Sequence, residues 1–265
     1  MRLRLLASGS AGNSLLVEGP GGSFLVDAGL SARQLERRLA AAGARPSALS
    51  GLVLTHEHID HIRGTGQLAR HYGLPIYLAP GTHAACAGLL GDLPEVHHFE
   101  PGTPFALAGV RLDPFSVSHD AVEPVGFVLE SEGARVGLAT DMGFATRLVG
   151  SKCAGLVGLI VEFNHDLERL QRSSYPWHVK QRIRSKLGHL SNPDAASLLA
   201  GVKGADLEFV VLAHLSQENN TPELARAEAE RALGGHPARL VVAEQDAVGP
   251  ALAPGSPLFN EVTAL

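Results

Sequence analysis

The chain has 265 residues, 45% of them apolar, and carries a formal charge of −5. That composition supplies a sizeable packed core and excludes disorder over most of the length, which suits one large domain or two modest ones. The acidic balance excludes a protein that coats nucleic acid through a global positive field, but leaves room for a local basic groove.

In chain order, short apolar or alternating runs at 3–7, 14–18 and 23–27 predict strands, with Ser-Gly and Gly-rich turns between them. A helix follows over about 31–42. Ser31 and Gln34 form a capping box, Leu30 and Leu35 fit the staple positions, and Gly43 ends it. A buried strand at 51–55 leads to a helix over about 61–72. Further strands are predicted at 76–78, 110–115, 126–130, 135–141 and 156–162. A basic helix spans about 177–187. Asn192 as N-cap and Pro193 at the first position start another helix. A strand at 207–213, a helix at 222–233 and a strand at 240–243 complete the alternation. The Pro/Gly-rich stretch 248–265 is expected to be an irregular tail. No repeat and no linker divides the chain, so one domain over 1–265 is expected, with sheets inside and helices outside.

Cys86 and Cys153 form no CxxC pair and no disulfide framework, which points to a reducing cytoplasm. The longest apolar stretch, Gly155 to Val161, is far short of the roughly 18 residues that span a bilayer, so no membrane partner is expected.

The chemistry concentrates in Thr55-His56-Glu57-His58-Ile59-Asp60-His61, an HxHxDH pattern directly after a strand. Imidazole and carboxylate suit Zn²⁺, Mn²⁺ or Fe²⁺. A strand feeding a tight loop can aim His56 and His58 at one ion and turn Asp60 and His61 toward another. Further strand-end donors follow in order: His119, Asp141 and His214.

With these motifs the sequence resembles the metallo-β-lactamase-fold hydrolases along essentially its whole length. The resemblance implies an α/β fold, a four-layer αββα sandwich. It implies that His56, His58 and His119 hold one metal, that Asp60, His61 and His214 hold the other, and that Asp141 bridges them. Asp27, in Leu-Val-Asp-Ala-Gly, matches the structural acid behind the site. The cofactors implied are two divalent ions, Zn or Mn.

Gly188-His189-Leu190-Ser191-Asn192 resembles the GHxS element of the phosphodiesterase branches, where the His touches a phosphate oxygen or protonates the leaving oxygen. The positive end of the following helix favours a phosphate there, with Ser191 beside it. The stretch from Arg169 to Lys186 holds six basic residues and no acid. Val179, Ile183 and Leu187 make an apolar stripe on it, from which Lys180, Arg182 and Arg184 project. Tyr175 and Trp177 offer stacking surface. Asp141 stands where the best-known lactamases carry Cys, so a β-lactamase is not expected.

Within the fold, one compact branch is matched in particular, the YycJ-like (WalJ-like) proteins. The matching words are Ala7 to Ser14, Asp27 to Ser31, Glu162-Phe163-Asn164-His165-Asp166, Tyr175-Pro176, the GHLSN segment and His214 to Asn220. This resemblance implies a 5′→3′ exonuclease with a link to mismatch repair. The substrate is then DNA, single-stranded or with a free 5′ end, with RNA as an open alternative. The expected mechanism has a metal-bridging hydroxide attacking phosphorus, oriented by Asp60, while His189 donates a proton or holds the phosphate. Ser10, Asn13, Asn164 and His165 are further candidate substrate contacts, and Glu57 is a candidate support for a metal His. The alternatives are a small-molecule or cyclic phosphodiesterase, which would not need the basic run, and a thioesterase or lactonase.

Overall fold

The computed structural model describes residues 1–255. Strands β1 (Arg2–Ala7), β2 (Ser14–Gly19) and β3 (Gly22–Val26) form an antiparallel meander. Helix α1 (Ala32–Ala41) then carries the chain to β4 (Leu49–Val53), which pairs parallel with β3. Helices α2 (Ile59–Ile62) and α3 (Thr65–Tyr72), β5 (Ile76–Leu78), α4 (Pro80–Leu90) and β6 (Val96–His98) complete a six-stranded sheet in sequence order.

The second sheet is built outward in the same way. Strands β7 (Phe105–Leu107), β8 (Val110–Ser116), β9 (Val125–Ser131) and β10 (Ala134–Ala139) are antiparallel. Helix α5 (Arg147–Cys153) leads to β11 (Gly158–Glu162). Helices α6 (Leu167–Arg172), α7 (Trp177–Ile183) and α8 (Asn192–Val202) lead to β12 (Phe209–Ala213), and α9 (Pro222–Leu233) leads to β13 (Arg239–Val242). Strands β10 to β13 pair in parallel, which is why helices separate them.

The two sheets meet face to face. Phe24, Val26 and Val53 of the first interleave with Leu112, Phe127, Ile160 and Val211 of the second in one buried cluster. A second cluster lies under α5, α8 and α9, and a third under α1, α3 and α4. That is the expected αββα sandwich. Each fully buried Leu, Val or Phe contributes about 1.5–3 kcal/mol, so three such clusters hold the strand ends firmly.

Several boundaries differ from the sequence expectations. The helix expected at 61–72 is two helices, broken at Arg63 and Gly64; Gly64 N donates to Ala28 O, which ties the break to the first sheet. Helices α4, α5 and α6 were not expected; α4 carries Gly81 and Gly88, which weaken its local helix signal, and α5 and α6 are short. Helix α7 stops at Ile183 and buries none of its residues, and Leu187 is exposed, so the apolar stripe is not a core contact. The N-cap of α8 is Ser191, not Asn192: the Ser191 hydroxyl accepts from Asp194 N. The tail is not wholly irregular. Leu252 is buried and bridges Leu3 in antiparallel fashion, while 256–265 lie outside the described residues.

Candidate metal centre

The strand ends of both sheets converge on one cluster of imidazoles and carboxylates. His56 and His58 stand in the loop after β4, and α2 begins directly behind them. Thr55 Oγ1 lies 3.0 Å from His56 Nδ1. His58 Nε2 lies 3.2 Å from Asp120 O, to which it donates. His119, past the end of β8, directs Nδ1 to Gly188 O at 3.0 Å. Each ring thus has its outer nitrogen held by the protein, which fixes the tautomer and leaves the other nitrogen facing inward. His56, His58 and His119 offer donor atoms within 4.8 Å of one another.

A second set adjoins the first. Asp60 Oδ2 lies 3.4 Å from His61 Nε2 and 3.5 Å from His214 Nε2. The outer nitrogens are again anchored, His61 Nδ1 by Asp27 Oδ2 at 2.8 Å and His214 Nδ1 by Glu162 Oε1 at 3.0 Å. Asp141 stands between the sets. Its oxygens lie 3.5 Å from His61 Nε2, 3.5 Å from His214 Nε2 and 3.9 Å from His119 Nε2.

Three residues at this centre pay a backbone cost. Asp27, Asp141 and His214 have φ of +61°, +59° and +55°, the left-handed region that non-glycine residues avoid. Each sits within two residues of a strand's end, and the packed sheets hold the turn that aims its side chain at the cluster.

The centre wants cations. Burial opposes protonation of His214, yet Asp141 and the hydrogen bonds to Asp60 and Glu162 push its pKa up to about 10. Burial also opposes protonation of His61, and Asp141, Asp27 and Asp60 outweigh it. Asp60 and Asp141 are held below the ordinary carboxylate range by these histidines, against their own desolvation. The inward nitrogen of His56 and one oxygen of Asp141 are buried with no hydrogen-bond partner. Such orphans are costly unless something else occupies them. The donor set, all imidazole and carboxylate, fits borderline divalent ions.

Glu162, the last residue of β11, was named in the sequence only as part of a matching segment and given no role. It is fully buried. One oxygen accepts from His189 Nδ1 at 2.7 Å and from His214; the other accepts from Met142 N and Leu190 N, both at 3.0 Å. It links the second donor set to His189. The available signal was an acid ending an apolar strand, the pattern already recognised at Asp27.

The other expected residues divide. His189 stands beside the centre, partly exposed, with Nδ1 taken by Glu162 so that Nε2 is the open nitrogen. Asn13 is buried. Its Oδ1 accepts from Gly9 N, and its amide nitrogen stands 3.1 Å from His61 Nε2 and 3.3 Å from Asp60 Oδ2. Ser10 is exposed on the same turn. Asn164 is buried behind His214, donating to its carbonyl. His165 is buried too, with Nδ1 unpartnered, and burial pushes its pKa down to about 4.

Four expectations are corrected. Ser191 is buried, and its hydroxyl is used in capping α8. The first turn of α8 has no spare donors for a phosphate: Asn192 N donates to His165 O, Pro193 has no N–H, and Asp194 N is capped. Of the basic residues, Lys180 is spent on the carbonyls of Gln171 and Ser173, and Arg182 pairs with Asp120 at 2.9 Å; Arg184 alone of the three is exposed without an ion-pair partner among the described residues. Glu57 supports no metal His directly; it accepts from Val122 N and so steadies the loop that carries His119.

Comparison with known proteins gives a consistent picture. A family profile described as "Beta-lactamase superfamily domain" matches residues 23–215. The chain is 38% identical over 235 residues to "Exodeoxyribonuclease YycJ" of Bacillus anthracis, covering 88% of this chain and 89% of that protein. It is 41% identical over 229 residues to "Exodeoxyribonuclease WalJ" of Streptococcus pneumoniae, covering 83% and 84%. Among solved structures, the metallo-β-lactamase fold protein YhfI of Bacillus subtilis is similar with a TM-score of 0.75 at 17% identity, covering 95% of this chain and 99% of that one. Zn²⁺-bound PqqB of Methylobacterium extorquens is similar with a TM-score of 0.71 at 18% identity, covering 96% and 100%. At such identities the structural likeness bears on the fold alone.

Proposed function

The chain belongs to the beta-lactamase superfamily, and within it to the family of the YycJ and WalJ exodeoxyribonucleases, and we propose that it is a metal-dependent 5′→3′ DNA exonuclease. The observation that carries this reading is the His189–Glu162 pair beside two adjoining donor sets.

His56, His58 and His119 would hold one divalent ion, and Asp60, His61 and His214 a second, with Asp141 shared between them. Zinc or manganese suits these donors. Such ions supply charge to neutralise phosphate oxygens and to lower the pKa of water. The protein's own residues do the rest. Asp27 and Glu162 fix the rings of His61 and His214, so the donor geometry exists before substrate arrives. Glu162 accepts a hydrogen bond from His189 Nδ1 and so orients the ring with Nε2 outward. His189 Nε2 is then the proton donor to the leaving oxygen, the step that a nucleotide alkoxide needs. Asp60, reaching into the centre with both His61 and His214 around it, is placed to orient the attacking water. Residues 1–255 share one set of packed layers and act as a single domain in this reading. The two free, buried cysteines suit a reducing cytoplasm. A nuclease that strips DNA from a 5′ end would serve repair, mismatch repair among it.

A second reading has a specific observation behind it. Lys180 and Arg182 are engaged within the protein, so the basic run offers less to a long polyanion than its charge suggests. A small-molecule phosphodiesterase would use the same centre without those cations. No helix of the described residues is long and apolar enough to cross a membrane.

The test is His189→Ala. The proposal expects the rate of DNA hydrolysis to fall by roughly 10²–10⁴-fold, the usual share of a general acid, with bound metal unchanged. Loss of metal from that variant would move His189 to the metal donors and remove its proton-transfer role.

A further inference from the structure

Between α5 and α8 lies an open groove of about 630 Å³, lined among others by Phe144, Thr146, Arg147, Leu190, Asp194 and Ser197. Its volume falls in the range of small-molecule sites, roughly 300–1,000 Å³. Its inner end is tied to the centre by hydrogen bonds: Leu190 N, from a lining residue, and Met142 N, next to lining Gly143, both donate to Glu162 at 3.0 Å. The rim is held in place. Gly143 N donates to Ser118 O at 2.8 Å, and a Cβ on Gly143 would overlap the backbone of Lys186 and Leu187.

Phe144 is 40% exposed and belongs to none of the three core clusters. Lys186 Nζ stands 5.8 Å from its ring centroid. Leu148 and Leu187 are exposed as well. An exposed aromatic side chain lining a groove that reaches Leu190, the neighbour of His189, suits a planar partner. Charge sorts the partner's two halves. Asp194 inside the groove repels phosphate. Arg147, Arg184 and Lys186 have no ion-pair partner among the described residues, whereas Lys180 is held by two backbone carbonyls and Arg182 by Asp120. Arg147 lines the groove, Lys186 stands over Phe144, and Asp194 lies in the lining.

We infer that this groove is a nucleobase subsite, in which Phe144 stacks on the base of the nucleotide being released while Lys186 and Arg147 face the flanking phosphates. The inference rests on the exonuclease reading above. There His189 gives its proton to the leaving oxygen, so the nucleotide next to His189 and Leu190 is the one that departs. A base offers a π face to Phe144 whatever its identity, which is how a nuclease without sequence preference holds a strand. The hydroxyls of Thr146 and Ser197 and the Asp194 carboxylate give its edges polar neighbours.

The test uses the metal-loaded protein and a short single-stranded oligonucleotide, intact or abasic at its 5′-terminal nucleotide. Phe144→Ala should raise KM for the intact strand about tenfold, with kcat within about twofold and metal content and melting temperature unchanged. Phe144→Tyr should restore the wild-type KM. On the abasic strand the three proteins should agree. Equal KM for wild type and Phe144→Ala on the intact strand overturns the subsite, as does an equal loss on both strands. A wild-type enzyme that leaves DNA intact while hydrolysing a small phosphodiester rejects the exonuclease reading itself. A wild-type enzyme that degrades DNA with Phe144→Ala unaffected rejects the subsite alone.

Discussion

Glu162 does two jobs with one carboxylate, and both can be separated from metal binding. It orients His214 on one side and His189 on the other. Glu162→Gln keeps the shape and removes the anion. Activity should fall about 10–100-fold, as for other groups that hold a metal-centre histidine. Gln cannot accept from both rings as the carboxylate does; full activity in the variant would show that neither His189 nor His214 depends on it. His165 makes a different, purely thermodynamic prediction. Burial holds its folded pKa down at about 4, against 6.5 in the unfolded chain. The native state therefore binds fewer protons between those values. Its contribution is complete above pH 6.5 and is lost as pH falls toward 4, an effect approaching about 3 kcal/mol. Urea melts of metal-free protein across that window should show the slope, and His165→Asn should flatten it. Equal slopes in both proteins would mean that His165 is not buried neutral.

At the scale of elements, the segment from α7 to His189 is held by backbone rather than by core. Helix α7 buries no side chain. The strap that follows is tied by Ser118 Oγ to Lys186 O, by Asp120 N to Leu187 O and by His189 N to Ile183 O. Gly188 is packed so closely on the carbonyls of Arg182 and Ile183 that a Cβ would overlap them. Gly188→Ala should therefore shift His189 and cut activity at least tenfold, with little change in melting temperature because the hydrophobic clusters are untouched. A variant with full activity would show that the strap does not position His189. The same scale explains what could be read in advance. The HxHxDH loop, the strand-end donors and α1 with its capping box were legible, because local residue pattern determines each of them. The use of Ser191 and Asp194 in one cap was not, since Asn192-Pro193 gives an equally good local signal one residue later. Helix α4 was hidden by its glycines, and Glu162's role by the distance in sequence between it and His189. The pairing of Arg182 with Asp120 is likewise a tertiary fact that no run of charges discloses.

For the molecule as a whole, the net charge of −5 is distributed unevenly. The segment 169–186 holds six cations and no acid, so the remainder is more acidic than the total suggests. Arg172 and Arg182 of that segment are paired with Glu168 and Asp120, and Lys186 stands over the Phe144 ring. This distribution suits local grip on a strand end rather than coating of a duplex, with affinity falling as salt rises. The two sheets meet so that acids and histidines from both halves reach one point, and the left-handed turns at Asp27, Asp141 and His214 complete it. The most direct measurement is the fate of 5′-labelled DNA with the manganese- or zinc-loaded protein, with and without chelator. The account predicts release of labelled mononucleotide as the first product, abolished by chelation. Intact DNA alongside rapid hydrolysis of a small phosphodiester would contradict it.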